Sequence, residues 1–171
     1  LNQTDGKYRY LAAGFDKLVV QGEDVVLYNS VTGAYLPAYV DSTGKVGTIT
    51  VGSCGATLPA GYQKLVAAGD KLFFYNPTTG AGAVGFLIKI SGKFSPYPYY
   101  CAGQLRIQQT FSTFATGWTH LVNTSNGLLF YNQYNRAGAI GHFAGDGSFI
   151  QTQGFGVGAF GFWTSIITTE K

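Results

Sequence analysis

Two histidines are the side chains of this sequence best suited to acid–base or metal chemistry. His120 and His142 are the only histidines in 171 residues, and neither has cysteine or carboxylate neighbours at the spacing of a zinc site. A nucleophile triad would pair one of them with a serine and an orienting acid, but Asp146, the acid nearest in sequence, falls in a predicted turn. We therefore predict no metal centre, no cofactor and no enzymatic activity.

Carboxylates and glycine-rich segments give no stronger catalytic signal. Most of the eight acidic residues stand beside glycine or in turns, where a carboxylate caps its own backbone. The segment 80–85 (Gly-Ala-Gly-Ala-Val-Gly) superficially resembles a phosphate-binding loop, but no helical pattern follows it. We interpret it as a glycine-rich strand.

Amide and aromatic side chains recur at matching positions, and this favours ligand binding over catalysis. Sugar sites combine aromatic faces with a few well-placed polar groups. Asparagines that end equivalent strands are candidates for binding sugar hydroxyls, and the alternative for each is a turn that bonds its own backbone. Aromatic candidates stand beside them or lead each repeat, and the alternative for these is packing between repeats. The candidate ligand-binding residues of this class are Asn29, Asn76, Asn132, Tyr75, Tyr131 and Trp118.

A proline- and tyrosine-rich stretch over residues 95–101 offers a different kind of surface. It is too rich in proline for a central strand, and it contains Tyr97 and Tyr99. Rigid loops with exposed tyrosines are suited to protein contacts. The alternative function is therefore a protein-binding module, such as a protease inhibitor or a secreted effector, that uses this loop.

An internal repeat of about 50 residues must position all of these side chains. The segments Gly14–Val19, Gly61–Val66 and Gly117–Val122 match, and thirteen residues after the leading aromatic of each comes a Tyr-Asn pair. Units start near residues 14, 61 and 117, and a partial unit begins near 161. Five residues beyond the Tyr stand Gly33, Gly80 and, departing from the pattern, Arg136.

Each unit is predicted to contain four short strands and no helix. In the third unit these strands cover residues 118–123, 128–132, 137–143 and 148–153, all dense in aromatic and β-branched residues and bounded by turn residues. The fold class is all-β over a single domain, 1–171. We predict a propeller-like array of about three and a half four-stranded units, with a β-trefoil as the alternative.

The sequence resembles the repeats of secreted microbial lectins of the tachylectin-2-like kind. The resemblance lies in the segments Trp-Thr-His-Leu-Val (118–122), Leu-Leu-Phe-Tyr-Asn (128–132) and Gly-Ala-Ile-Gly (138–141). It implies a propeller whose blades each bind a sugar or a sugar amide in a shallow site. We therefore expect a lectin with repeated sugar sites, whose weak single affinities add up to avidity for multivalent glycans.

Composition and cysteine usage limit the other possibilities. Hydrophobic residues make up 46% of the chain and charged residues 11%, which excludes ordinary disorder. The net charge of +3 is spread singly, so nucleic acid is not an expected partner. No apolar run is long enough for a membrane helix, which needs about 18 residues.

Secretion is expected from two weaker features. Cys54 and Cys101 are the only cysteines and predict one disulfide, although two free thiols are the alternative. Asn2 and Asn123 begin glycosylation acceptor triplets. Whether the array closes within one chain or as a homodimer is left open by the sequence.

Overall fold

The computed structural model describes residues 14–40, 42–44, 46–48, 58–88, 104–112, 114–125 and 127–166. These residues form twelve strands and no helix, which confirms the all-β class. The first sheet contains β1 (Lys17–Gln21), β2 (Asp24–Tyr28), β3 (Tyr35–Val40) and β4 (Val46–Thr48). The second contains β5 (Lys64–Ala68), β6 (Lys71–Tyr75), β7 (Gly82–Leu87) and β8 (Leu105–Phe111). The third contains β9 (His120–Thr124), β10 (Gly127–Tyr131), β11 (Gly138–Phe143) and β12 (Phe149–Phe155).

Every sheet is an antiparallel meander whose strand order is the order of the sequence. Two-residue turns set the register of the first hairpin, as in the Ala68 to Lys71 pair. The first residue of that turn, Gly69, has φ of +65°, which suits the turns that match strand twist. The four strands predicted for the third unit are confirmed, with ends that differ by two residues or fewer.

The second sheet is buried on both faces between the other two. Successive strand residues point to opposite sides, so Phe74 of β6 packs with Val26 and Tyr28 of the first sheet. Its neighbour Phe73 packs instead with Leu128 and the aromatic rings of the third sheet. This explains why the β6 sequence, Lys-Leu-Phe-Phe-Tyr, is apolar almost throughout.

The first strands of consecutive sheets lie side by side, β1 next to β5 and β5 next to β9. The outward face of the first sheet is partly uncovered, since Leu18 and Val20 are 55% and 53% exposed. Their equivalents in the second sheet, Leu65 and Ala67, pack against the core between the first and second sheets. The three sheets therefore stack in one direction, and the outward face of the first sheet is the exposed end of the described stack.

Candidate functional site

The repeated tyrosines tie each unit to the next one. The side chains of Tyr28, Tyr75 and Tyr131 are fully buried. Each hydroxyl donates to a backbone carbonyl of the following unit, at 2.6 Å to Pro59, 2.6 Å to Ala115 and 2.8 Å to Gly161. Each hydroxyl oxygen also accepts from the N–H of the next leading aromatic, at 3.4, 3.4 and 3.1 Å. A ligand cannot reach Tyr75 or Tyr131 in this structure.

Removal of one such hydroxyl should cost measurable stability. Burial raises the pKa of Tyr75, so its hydroxyl stays protonated as a donor. We expect Tyr75→Phe to lower the free energy of unfolding by about 1–2 kcal/mol, because it leaves the Ala115 carbonyl unpaired. Tyr134→Phe is the control, since Tyr134 is 78% exposed and its hydroxyl forms no hydrogen bond with a described residue. Equal urea midpoints for the two variants would contradict this role.

The repeated asparagines organise the loop between the second and third strands of their own unit. Asn76 Oδ1 accepts from the N–H groups of Thr78 and Thr79, at 2.9 and 3.1 Å. Asn76 Nδ2 donates to the Gly61 carbonyl at 2.8 Å, which fixes the start of the same unit. Both halves of the amide are thus occupied by backbone, as in the turn alternative.

The other two asparagines repeat this arrangement. Asn29 Oδ1 accepts from Val31 and Thr32, and its Nδ2 donates to the Gly14 carbonyl. Asn132 Oδ1 accepts from the N–H groups of Tyr134 and Asn135, at 2.9 and 3.3 Å. These asparagines shape a loop whose other side chains remain available.

The remaining predicted site residues are dispersed. Trp118 is half-buried and packs against the core between the second and third sheets, with its ring centroid 5.8 Å from that of Phe130. Asn123 is half-buried in β9. The predicted contact loop 95–101 with Tyr97 and Tyr99, the cysteines Cys54 and Cys101, and the acceptor Asn2 lie outside the described residues.

A polar cleft of about 430 Å³ opens where the second and third units meet. We call it the rim cleft. From the second unit it is lined by the start of β5 and by the β6–β7 loop, through Gln63, Lys64, Pro77 and Thr78. From the third unit it is lined by the approach to β9 and by the β10–β11 loop, through Gly117, Thr119, His120, Asn132, Gln133 and Tyr134. Of the predicted ligand-binding residues, the rim cleft contains Asn132.

Some polar groups of the rim cleft are engaged in holding the fold. The Thr119 hydroxyl lies 3.1 Å from the Tyr131 carbonyl and accepts from the Gln133 N–H at 2.9 Å. His120 lies with Nδ1 2.9 Å from that hydroxyl and with Nε2 3.1 Å from the Thr164 carbonyl. Both ring nitrogens of His120 are therefore occupied.

Other polar side chains of the rim cleft are free to meet a ligand. Five side chains of the cleft form no hydrogen bond to any residue that the structure describes. Tyr134 is the largest of them, with an exposed ring at the edge of the cleft. The set comprises Gln63, Lys64, Thr78, Gln133 and Tyr134. A row of unengaged amide, hydroxyl and ammonium groups beside an exposed aromatic ring is suited to a small polar ligand.

Pro77 explains why Gln63 is free. In the first unit the carboxylate of Asp16 accepts from the Ser30 N–H at 2.7 Å. In the third unit the hydroxyl of Thr119 accepts from the Gln133 N–H in the same way. The equivalent loop residue of the second unit is proline, which has no N–H to be capped. The sequence contains this signal, as a proline aligned with Ser30 and Gln133, but sequence reasoning alone did not assign Gln63 to a site.

Neither histidine belongs to a metal cluster within the described part of the chain. His142 is exposed on β11, away from other potential ligands, and no group of three or more His, Cys, Asp or Glu converges there or elsewhere among the described residues. The same residues include no apolar helix long enough to span a membrane.

Comparison with known proteins gives a likeness in fold. No protein-family model and no curated protein matches this sequence. Two crystal structures, both provisionally assigned as 6-phosphogluconolactonases, are similar. The protein of Bacteroides fragilis NCTC 9343 superposes with a TM-score of 0.52 and 15% identity, over 81% of this chain and 37% of its own. For that of Bacteroides uniformis ATCC 8492 the values are 0.50, 17%, 81% and 38%. This chain thus spans less than two-fifths of either protein.

Proposed function

We propose that this chain is a carbohydrate-binding protein and that the rim cleft is its sugar site. The observation that carries the proposal is the set of unengaged polar side chains around the exposed ring of Tyr134. The sequence resemblance to tachylectin-2-like lectins supports it independently. Binding is the whole function in this proposal, and no residue of the cleft is given a catalytic role.

Each group of the cleft has a defined part in sugar recognition. The Tyr134 ring offers an apolar face for the C–H side of a pyranose, and its position on a loop lets it approach from one edge. The amides of Gln63 and Gln133 both donate and accept, which matches the vicinal hydroxyls of a sugar. An open cleft of this kind buries little ligand surface, so the expected affinity of a single site is weak, about millimolar.

The equivalent rim of the first unit is chemically different. The position of Tyr134 is held by Val31 in the first unit and by Thr78 in the second. An aromatic ring is therefore present at this loop position in the third unit and absent from it in the first and second units. We expect the three described sheets to bind one sugar molecule. Avidity for multivalent glycans would then require further copies of the chain.

We also propose that the three sheets are consecutive blades of a propeller-like array rather than parts of a β-trefoil. Three features support this arrangement: meandering four-stranded sheets, face-to-face packing, and first strands that lie side by side. The hydrogen bonds of the buried tyrosine hydroxyl recur at each junction, and those of Tyr131 reach the partial fourth unit at Gly161 and Trp163. Secretion, the Cys54–Cys101 disulfide and glycosylation at Asn2 and Asn123 remain part of the proposal.

The sugar site is tested by replacing its ring. We expect Tyr134→Ala to weaken sugar binding at least about tenfold, because it removes the stacking surface and leaves the fold intact. Val31→Ala is the matched control, since Val31 is the equally exposed counterpart in the first unit. Binding is measured by NMR titration with monosaccharides after a glycan-array screen, and thermal unfolding checks that both variants remain folded.

Three results would contradict the proposal. If no monosaccharide or glycan binds at millimolar concentration, the rim cleft is not a sugar site. If the chain hydrolyses 6-phosphogluconolactone, the reaction named for the similar structures, its function is not binding alone. A Tyr134→Ala variant that binds sugar like the Val31→Ala control would place the site elsewhere.

A further inference from the structure

Lys64 is a cationic side chain of the rim cleft without an anionic partner. It lies half-buried at the start of β5, and its ammonium has no hydrogen bond or ion pair with any described residue. None of the ten residues that line the cleft is aspartate or glutamate. The other ionisable groups of the lining are His120, whose nitrogens are occupied, and the phenol of Tyr134.

The first unit shows what the same position looks like when the protein supplies the counter-ion. Lys17 is the equivalent of Lys64, and its ammonium lies 2.7 Å from a carboxylate oxygen of Asp16. Lys17, and then Ser30, hold the pKa of Asp16 well below its usual range. In the second unit the position of Asp16 is taken by Gln63, which is neutral. The lysine is present in both units and the acid only in the first.

We propose that the ligand of the rim cleft is an acidic sugar, whose carboxylate or phosphate pairs with Lys64. This inference rests on the proposed sugar-binding function and adds the chemical class of the sugar. An ammonium is a compact point charge that binds either anion, while Tyr134 and the two glutamine amides contact the ring and its hydroxyls. The open cleft is solvated, so the pairing is moderate in strength and sensitive to salt.

The experiment compares matched sugars on the full chain. The probes are a neutral hexose, the corresponding hexuronate and the corresponding hexose 6-phosphate, in the gluco and galacto series, titrated at low and at physiological salt. The acidic sugars should bind about tenfold more tightly than the neutral one at low salt, and their advantage should shrink as salt is added. Tighter binding of the hexuronate assigns a carboxylate ligand, and tighter binding of the phosphate assigns a phosphorylated one.

Three lysine variants complete the test. Lys64→Gln should remove the preference for acidic sugars, so that the hexuronate and the hexose 6-phosphate bind no more tightly than the neutral hexose. Lys64→Arg should keep the preference because it keeps the charge. Lys17→Gln, at the paired position of the first unit, should leave binding unchanged.

The inference and the proposed function fail in different ways. If neutral and acidic sugars bind equally and Lys64→Gln has no effect, the acidic class is overturned while the sugar site stands. If no sugar of the panel and no glycan of the array binds, the proposed function itself is overturned.

Discussion

Replacement of Gly80 by alanine is expected to destabilise the protein by about 3 kcal/mol or more. The backbone of Gly80 has φ of +75°, a conformation that costs an L-residue about 1–2 kcal/mol. A Cβ at this position would also overlap the carbonyl oxygen of Phe114, on the segment that leads into the third unit. That segment cannot retreat freely, because the Phe114 N–H donates to the Gly80 carbonyl at 2.8 Å.

Gly69→Ala is the matched control for this effect. Gly69 has φ of +65°, and nothing lies within 4 Å of the site where its Cβ would be. Gly69→Ala therefore isolates the backbone cost of about 1–2 kcal/mol from the cost of pushing two units apart. Urea unfolding followed by circular dichroism measures both variants, and Gly33→Ala, which meets the Leu58 carbonyl, should behave like Gly80→Ala. Similar losses for Gly69→Ala and Gly80→Ala would show that the close approach between units is not what requires glycine.

Arg136 shows that the turn alone does not demand glycine. It occupies the Gly33 and Gly80 position in the third unit and adopts φ of +61°. The equivalent backbone bond still forms there, since the Phe160 N–H donates to the Arg136 carbonyl at 3.2 Å, against 2.8 Å for Phe114 and Gly80. The Arg136 guanidinium lies 4.8 Å from the Phe162 ring centroid. The junction between the third unit and the partial fourth unit thus forms with a side chain at this position.

The strands and their repetition could be predicted because both depend on local patterns. Short aromatic and β-branched runs bounded by turn residues define each strand, and the constant spacing from leading aromatic to Tyr-Asn reflects one hairpin of fixed length. The environment of each side chain is harder to predict from the sequence. The fate of Tyr75 depends on a carbonyl forty residues away, and no local pattern indicates that its hydroxyl is enclosed there.

The rim cleft could not be predicted for a related reason. Its free side chains come from two different units, and all of them except Lys64, which recurs as Lys17, vary between the repeats. Recurrence selected Asn76 and Asn132, which the fold itself uses in every unit. Gln63 and Tyr134 differ from their counterparts, and this variation at shared positions is the only mark that the cleft leaves in the sequence.

The second large effect on stability is expected from a substitution beside a buried lysine. Lys71 of β6 is 5% exposed, and its ammonium donates to Gln108 Oε1 at 2.6 Å. It also lies 3.4 Å from the Gly145 carbonyl, in the β11–β12 turn of the third sheet, and Gln108 Nε2 donates to that carbonyl at 2.9 Å. Asp146 of the same turn accepts from the Ser148 hydroxyl at 2.7 Å, and Ser148 first, then the charge of Lys71, lower the pKa of its carboxyl. One glutamine therefore solvates the charge and connects two sheets.

We expect Gln108→Leu to lower the free energy of unfolding by about 2–4 kcal/mol, because it leaves a buried ammonium with one long contact. Lys71→Met should cost less, about 1 kcal/mol, since it keeps the apolar stem and removes the charge that needs solvating. The double variant should recover much of the loss caused by Gln108→Leu, and a double-mutant cycle on urea unfolding measures that coupling. Additive losses in the cycle would mean that Gln108 stabilises the junction through packing, independently of the charge on Lys71.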